Sequence, residues 1–125
     1  MTPFLDESDG RYEVRPSTTP GAGAGVFARV DLPAGAVLDV IGVRVRRETT
    51  SDRCTHFADH HKFRVGDCLL IPVGFGGLVN HSTSPNLEKV VDGERVFFRA
   101  VRPIVAGEEL FFRYPDAALE RFGLV

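Results

Sequence analysis

Cysteine is scarce in this chain: two among 125 residues, Cys54 and Cys68, with no Cys-x-x-Cys pair. That excludes a zinc ribbon or finger and makes two free thiols in a reducing compartment the expected state. Tyrosine is equally rare, at two residues, so phenol chemistry has few candidates. Positive charge is not in excess either, with 15 Lys and Arg against 17 Asp and Glu and a formal net charge of −2. No basic field marks the chain for direct nucleic-acid binding, and its mild acidity favours a basic partner such as a lysine-bearing peptide. Long apolar runs are absent. The longest, residues 69–79, is broken by Pro72, Gly74, Gly76 and Gly77, and it falls short of the ~20 residues of a membrane helix. Residues 1–10 are acidic and lack the basic-then-apolar pattern of a secretory leader. The expectation is a cytoplasmic protein with no membrane attachment.

What is present is the balance of a soluble globular domain, 43% hydrophobic and 26% charged. Thirteen glycines and eight prolines favour many short strands and turns over long helices. Residues 1–10 read as a flexible tail and 11–125 as one domain. Alternation predicts strands at 12–15, 26–30, 37–45 and 110–114, and hairpins across Gly66-Asp67 and Asp92-Gly93. Residues 46–61 read as polar and irregular. Asp116 is placed to cap a short C-terminal helix through Phe122, with Gly123 as its stop. Leu32-Pro33-Ala34-Gly35 is echoed by Ile104-Val105-Ala106-Gly107, two similar turns that each feed a strand.

Three segments could carry chemistry. Gly21-Ala22-Gly23-Ala24-Gly25 lets backbone approach a ligand closely. A dinucleotide fingerprint would need a helix next, and strand-like residues follow instead; a flexible turn with no ligand also fits this loop taken alone. Asn80-His81-Ser82 with Pro85-Asn86 offers donors, acceptors and a ring edge. Such groups can hold a purine and an amino-acid moiety, or can simply satisfy a local turn. Gly107-Glu108-Glu109-Leu110 leads to Tyr114, which alone would read as a packing residue at a strand end. Other clusters read as solvated surface. His56, His60, His61 and Cys54 form a polar loop better than a metal site, and Glu108-Glu109 a solvent-facing turn better than an acid-base pair.

In this order the three segments resemble the SET family of protein lysine methyltransferases. Gly23-Ala24-Gly25-Val26-Phe27-Ala28 resembles the family's opening glycine segment. Asn80-His81-Ser82 with Pro85-Asn86 resembles its Asn-His-Ser-x-x-Pro-Asn signature, and Gly107-Glu108-Glu109-Leu110 with Tyr114 its closing motif. The likeness runs from about Tyr12 to Tyr114 and is greatest to compact, stand-alone viral and bacterial members. It implies a mainly β fold, β-clip-like, of several small sheets with a pseudoknot and a short C-terminal helix. It implies S-adenosylmethionine as cofactor, held by Gly23, Ala24, Gly25, Asn80, His81 and Tyr114, with no metal. Tyr114 is the implied catalytic residue, and a lysine side chain of another protein the implied methyl acceptor. Transfer needs the neutral amine, and an apolar channel disfavours the ammonium, whose reference pKa is ~10.4.

The chain departs from the family pattern at several points. Ala24 stands where stand-alone relatives often place a tyrosine, His61 where a channel tyrosine is expected, Gly77 in place of an arginine, and Arg113 in place of an aspartate. The expected channel walls are therefore Phe57, His61, Phe63, Phe75 and Phe112, with Phe122 as a C-terminal lid. Two other readings remain: a SET-like module that binds cofactor or peptide with little or no catalysis, and a plain β interaction domain without cofactor. Cys-rich flanking segments are absent from the sequence, so the C-terminal residues or a second subunit must close the channel, and a homodimer is expected.

Overall fold

Ten short strands and two short α-helices form among the described residues, in a sequence rich in glycine and proline. The computed structural model describes residues 9–123; the first eight residues of the expected tail lie outside them. Asp9, at the other end of that tail, is tied down: its Oδ1 accepts from the Arg11 backbone N–H at 3.0 Å and its Oδ2 from the guanidinium at 2.8 Å.

Strands β1 (Tyr12–Pro16) and β2 (Ala24–Ala28) form an antiparallel pair with Val14 opposite Val26. Strand β3 (Val37–Asp39) adds to β9 (Arg95–Ala100), which pairs with β8 (Leu87–Asp92), in a three-stranded sheet ordered β3-β9-β8. A second three-stranded sheet is ordered β4 (Gly42–Arg46), β6 (Cys68–Pro72), β5 (Phe63–Val65). Strands β7 (Asn80–His81) and β10 (Phe111–Phe112) run parallel, with Phe111 opposite Asn80 and Phe112 opposite His81. Helix α1 spans Thr50–Cys54 and helix α2 Asp116–Arg121. The expected mainly β fold of small sheets with a short C-terminal helix is what forms.

Both predicted hairpins form, β5-β6 and β8-β9. The single strand expected over 37–45 is instead two strands in different sheets. Val40 is buried and its N–H bonds Val96 O at 3.0 Å, whereas Ile41 O already accepts from Val73. At Gly42 the chain touches the second sheet so closely that a Cβ would overlap the Ile71 carbonyl oxygen. The chain thus changes sheets within three residues, a crossing that β-branched composition does not reveal. The irregular stretch holds α1 and a 3₁₀ turn at His56–Ala58. Thr49 caps α1, its Oγ1 accepting from Asp52 N at 3.4 Å, while Asp52 Oδ2 accepts from Glu48 N at 2.8 Å. Helix α2 starts at Asp116, but Pro115 holds the cap position and no side chain caps it.

The core gathers Val26, Leu38, Leu87, Phe98, Ile104 and Leu110, all essentially inaccessible, and each contributes roughly 1.5–3 kcal/mol by leaving water. The two echoed turns meet. Leu32 and Ile104 exchange backbone hydrogen bonds of 2.8 Å, Gly35 N donates to Ala100 O and Gly107 N to Ala28 O, both at 2.7 Å. This contact closes the N-terminal hairpin onto the C-terminal third of the chain.

Candidate active site

The glycine loop is positioned by a buried carboxylate. Glu109 is 6% exposed. Its Oε1 accepts from Thr18 N at 2.8 Å and Thr18 Oγ1 at 2.6 Å, and its Oε2 from Ser17 Oγ at 2.7 Å and Asn80 Nδ2 at 3.3 Å. Burial pushes the Glu109 carboxyl up, but Thr18, Ser17 and Asn80 together outweigh it and hold the group below its ordinary value. A Cβ at Gly25 would overlap this carboxylate, so glycine is required there for close approach. The solvent-facing turn expected for both glutamates holds only for Glu108, which pairs with Arg102 at 3.0 Å. Adjacent residues at a bridge to β2 face opposite ways, and it is Glu109 that turns inward.

Asn80 joins the same knot. Its Nδ2 donates to Ala24 O at 3.0 Å and Ser17 Oγ at 3.2 Å as well as to Glu109. The amide nitrogen of the residue expected to read a ligand edge thus holds the glycine loop in place. Asn86, 2% exposed, clamps backbone: Nδ2 donates to Glu109 O and Oδ1 accepts from Phe111 N, both at 2.8 Å. These bonds, with the parallel β7-β10 pairing, set His81 beside Tyr114.

His81 Nδ1 accepts the Tyr114 backbone N–H at 3.0 Å, which places the ring proton on Nε2. Burial, and then the Arg113 charge, push the imidazole pKa down, so the neutral ring that can accept is favoured. The Tyr114 hydroxyl donates to Val79 O at 3.4 Å, and burial pushes the phenol up. Its ring is bracketed by His81 at 5.1 Å, Phe112 at 5.1 Å and Phe122 at 5.5 Å.

Tyr114 opens onto a cavity of about 640 Å³ between the α1 region, the β5-β6 hairpin and α2. Phe63, Val79, Phe112 and Tyr114 supply apolar wall, and His61 and Phe122 also line it. Lys62 buries its ammonium in the wall, with a side chain 3% exposed and Nζ at 2.7 Å from both Asp52 Oδ1 and Asp59 Oδ1. Desolvation pushes this lysine down, and the two carboxylates more than restore it. Lys89 lies 5.5 Å over the Phe63 ring, and burial pushes its ammonium pKa down.

Four of the six expected channel residues therefore line one cavity: His61, Phe63, Phe112 and Phe122. Two do not. Phe57 is 78% exposed, because Ala58 takes the inward position of the 3₁₀ turn. Phe75 is 3% exposed and stacks on Tyr12 at 4.2 Å and Phe98 at 6.0 Å, in the core. Gly23, Ala24, Gly25, Asn80 and His81 lie outside the cavity lining and reach Tyr114 through the Asn80 and His81 contacts. Ser17 and Thr18 belong to no expected site, Glu109 belongs to the expected solvent-facing turn, and Lys62 and Lys89 read from the sequence as solvated surface; Glu109 and the Lys62 side chain are instead buried. The Ser17-Thr18-Thr19 run beside the glycines was the one available signal, a cluster of short donors needing an acceptor. Among the described residues no three His, Cys, Asp or Glu side chains gather as metal ligands, both cysteines are free, and no helix is long and apolar enough to cross a membrane.

Comparison with known proteins bears on this arrangement. No curated protein sequence matches the chain. Among solved structures, a humanized mutant of the Chaetomium thermophilum Polycomb Repressive Complex 2 bound to an inhibitor is similar over 84% of this chain, with 26% identity and a TM-score of 0.70. The same fungal complex, autoinhibited and bound to S-adenosylmethionine, is similar over 90%, with 23% identity and a TM-score of 0.71. A Plasmodium falciparum protein described as a histone methyltransferase is similar over 87%, with 19% identity and a TM-score of 0.68. The matched region makes up 15% and 16% of the two fungal chains but 96% of the Plasmodium one. The family model described as SET domain matches residues 23–115, from the second turn glycine to the residue after Tyr114. The chain belongs to the SET domain family.

Proposed function

We propose that this protein transfers a methyl group from S-adenosylmethionine to a lysine side chain of another protein. The observation that carries this reading is the place of Tyr114: its backbone is fixed by His81 and it lines the cavity of about 640 Å³, beside Val79 O. The group that supplies the methyl is a sulfonium, an electrophile needing no metal. The residues fit it: Asn80 Nδ2 donates to Ala24 O, Ser17 N donates to Gly23 O while the Ser17 hydroxyl is held by Glu109, and among the described residues nothing lies within 4 Å of where a Gly23 Cβ would stand. Gly23, Ala24, Gly25, Asn80 and His81 would hold the cofactor on one side of Tyr114, and the cavity would receive the lysine on the other.

The chain's own residues then do three things. Phe63, Phe112 and Val79 exclude water and disfavour the ammonium form of an entering lysine, as burial does for Lys89. The Tyr114 hydroxyl and Val79 carbonyl orient the amine for in-line attack, so positioning supplies much of the rate. Phe122 covers the ring of Tyr114. Residues 11–125 act as one SET domain with a short C-terminal flank, in a cytoplasmic setting that keeps both thiols reduced, and a second copy completes closure of the channel as a homodimer.

A second reading, a module that binds cofactor without turnover, is favoured by His61, an exposed imidazole at the cavity where a phenol was expected. Incubation with labelled S-adenosylmethionine and mixed basic proteins decides between the two. Transfer that is lost in Tyr114→Phe supports the enzyme; no transfer, with S-adenosylhomocysteine still bound by calorimetry, supports the module.

A further inference from the structure

The cavity wall carries charge of a kind the whole chain does not. Against a net charge of −2 overall, its lining holds five cations, Arg47, Lys62, Arg64, Lys89 and Arg121, and two carboxylates, Asp52 and Asp59. Both carboxylates are engaged by Lys62 at 2.7 Å. This one ammonium balances one of the two carboxylates, and with four further cations the lining as a whole stays positive.

The unpaired cations are concentrated here. Elsewhere exposed Arg53 has no carboxylate partner among the described residues, and the other arginines are paired, among them Arg15 with Glu13, Arg44 with Glu94, Arg95 with Asp39, Arg99 with Glu88, Arg102 with Glu108, and Arg113 with Asp116. Arg47, Arg64 and Arg121 form no ion pair with a carboxylate among the described residues, and all three line the cavity. Arg121 donates only to the Asp59 backbone carbonyl, at 3.3 Å. Lys89 has no carboxylate either and rests on the Phe63 face. Exposed cations around a low-dielectric floor focus a positive potential into the cleft.

We infer that the cavity selects a lysine presented by an acidic segment of the partner protein, with Asp or Glu within a few residues of the target, and that Arg47, Arg64 and Lys89 determine this specificity. The inference rests on reading the cavity as the acceptor side of a lysine methyltransferase. It reverses the preference for a basic partner that net charge alone implies, because the surface an incoming peptide meets is the rim and not the molecular average. A nucleic acid fits less well: beyond the cavity lining every arginine among the described residues except Arg53 is paired with a carboxylate, so no continuous basic face extends from the cavity to follow a phosphate backbone.

The test is fluorescence anisotropy with labelled peptides that share a central lysine and carry glutamate, serine or arginine flanks. It is run with S-adenosylhomocysteine present, at low and at moderate salt, on the wild type and on a double variant, Arg47→Glu with Arg64→Glu. Both arginines are exposed and unpaired, so the variant keeps the fold, which its melting temperature checks. The glutamate-flanked peptide is expected to bind at least about tenfold more tightly than the arginine-flanked one at low salt, with the gap narrowing as salt rises. The double variant is expected to reverse the order. Equal or tighter binding of the arginine-flanked peptide, an order unchanged in the double variant, displacement by a single-stranded oligonucleotide at lower concentration, or no binding of any peptide would each overturn the inference. Methyl transfer to an arginine-flanked peptide would overturn it while leaving the methyltransferase reading intact.

Discussion

The imidazole of His81 and the backbone amide of Tyr114 are joined by a 3.0 Å hydrogen bond through Nδ1. The signature histidine thus anchors the segment that carries the phenol, and its ring works as an acceptor only while neutral.

Replacing Tyr114 with phenylalanine removes one hydroxyl that, among the described residues, makes a 3.4 Å bond to Val79 O. Stability should change little, with a melting temperature within a few degrees of wild type. Methyl transfer should fall by about 100-fold or more through lost orientation of the amine, with affinity for S-adenosylhomocysteine kept within a few-fold. Single-turnover transfer and calorimetry measure the two quantities separately.

Glu109→Gln exchanges an acceptor-only carboxylate for a group bearing two N–H donors, against donors from Ser17, Thr18 and Asn80. The loss should be about 2 kcal/mol, seen as a melting temperature lower by roughly 5–10 °C. Affinity for the cofactor product should fall as well, since the glycine loop loses its anchor. Unchanged binding would mean that the knot does not organise the cofactor side.

Gly25→Ala should be worse than its size implies, because the new Cβ overlaps the same carboxylate. A loss of about 2–3 kcal/mol is expected. Gly10→Ala, where nothing lies within 4 Å of the added carbon, should stay within about 0.5 kcal/mol of wild type and serves as the control. Chemical denaturation of the two variants compares them directly.

The pH dependence should show two windows of loss on acidification. The His81 pKa is lowered on folding, so its contribution is complete above the unfolded value, about 6.5, and fades as pH falls toward the folded value. The Glu109 pKa is also lowered, so its contribution is complete above the unfolded value, about 4.3, and fades below it. Melting temperatures measured from pH 8 to pH 3 should decline in both windows. His81→Gln should flatten the first and leave the second.

The fold was largely legible in the residues, for definite reasons. Turn glycines marked both hairpins, and three motifs in order marked the family. The crossing at residues 40–42 was not legible, because β-branched residues read as strand whichever sheet receives them. The channel was read by residue type, which put Phe57 and Phe75 alongside Phe63 and Phe112. A phenylalanine count carries no direction, and Phe57 points out where Phe75 points into the core. Glu109 was hidden by its neighbour: two adjacent glutamates look like a surface turn until the strand assigns them opposite faces. The rim cations Lys62, Arg64 and Lys89 read as solvated surface scattered among acids, because pairing is settled across the fold and not along the chain.

The contact between Leu32 and Ile104 also bears on how the molecule comes to be active. It joins residues 72 positions apart in the sequence (104 − 32), and β3-β9 and β7-β10 likewise join distant segments. Assembly must close these large loops before it gains their contacts, so slow, high-contact-order folding is expected, on the scale of milliseconds to seconds. Tyr114 reaches His81 only when the last strand docks. On the proposed reading methyl transfer depends on that docking, so a variant truncated before Tyr114 is expected to keep most of the fold and to lose transfer.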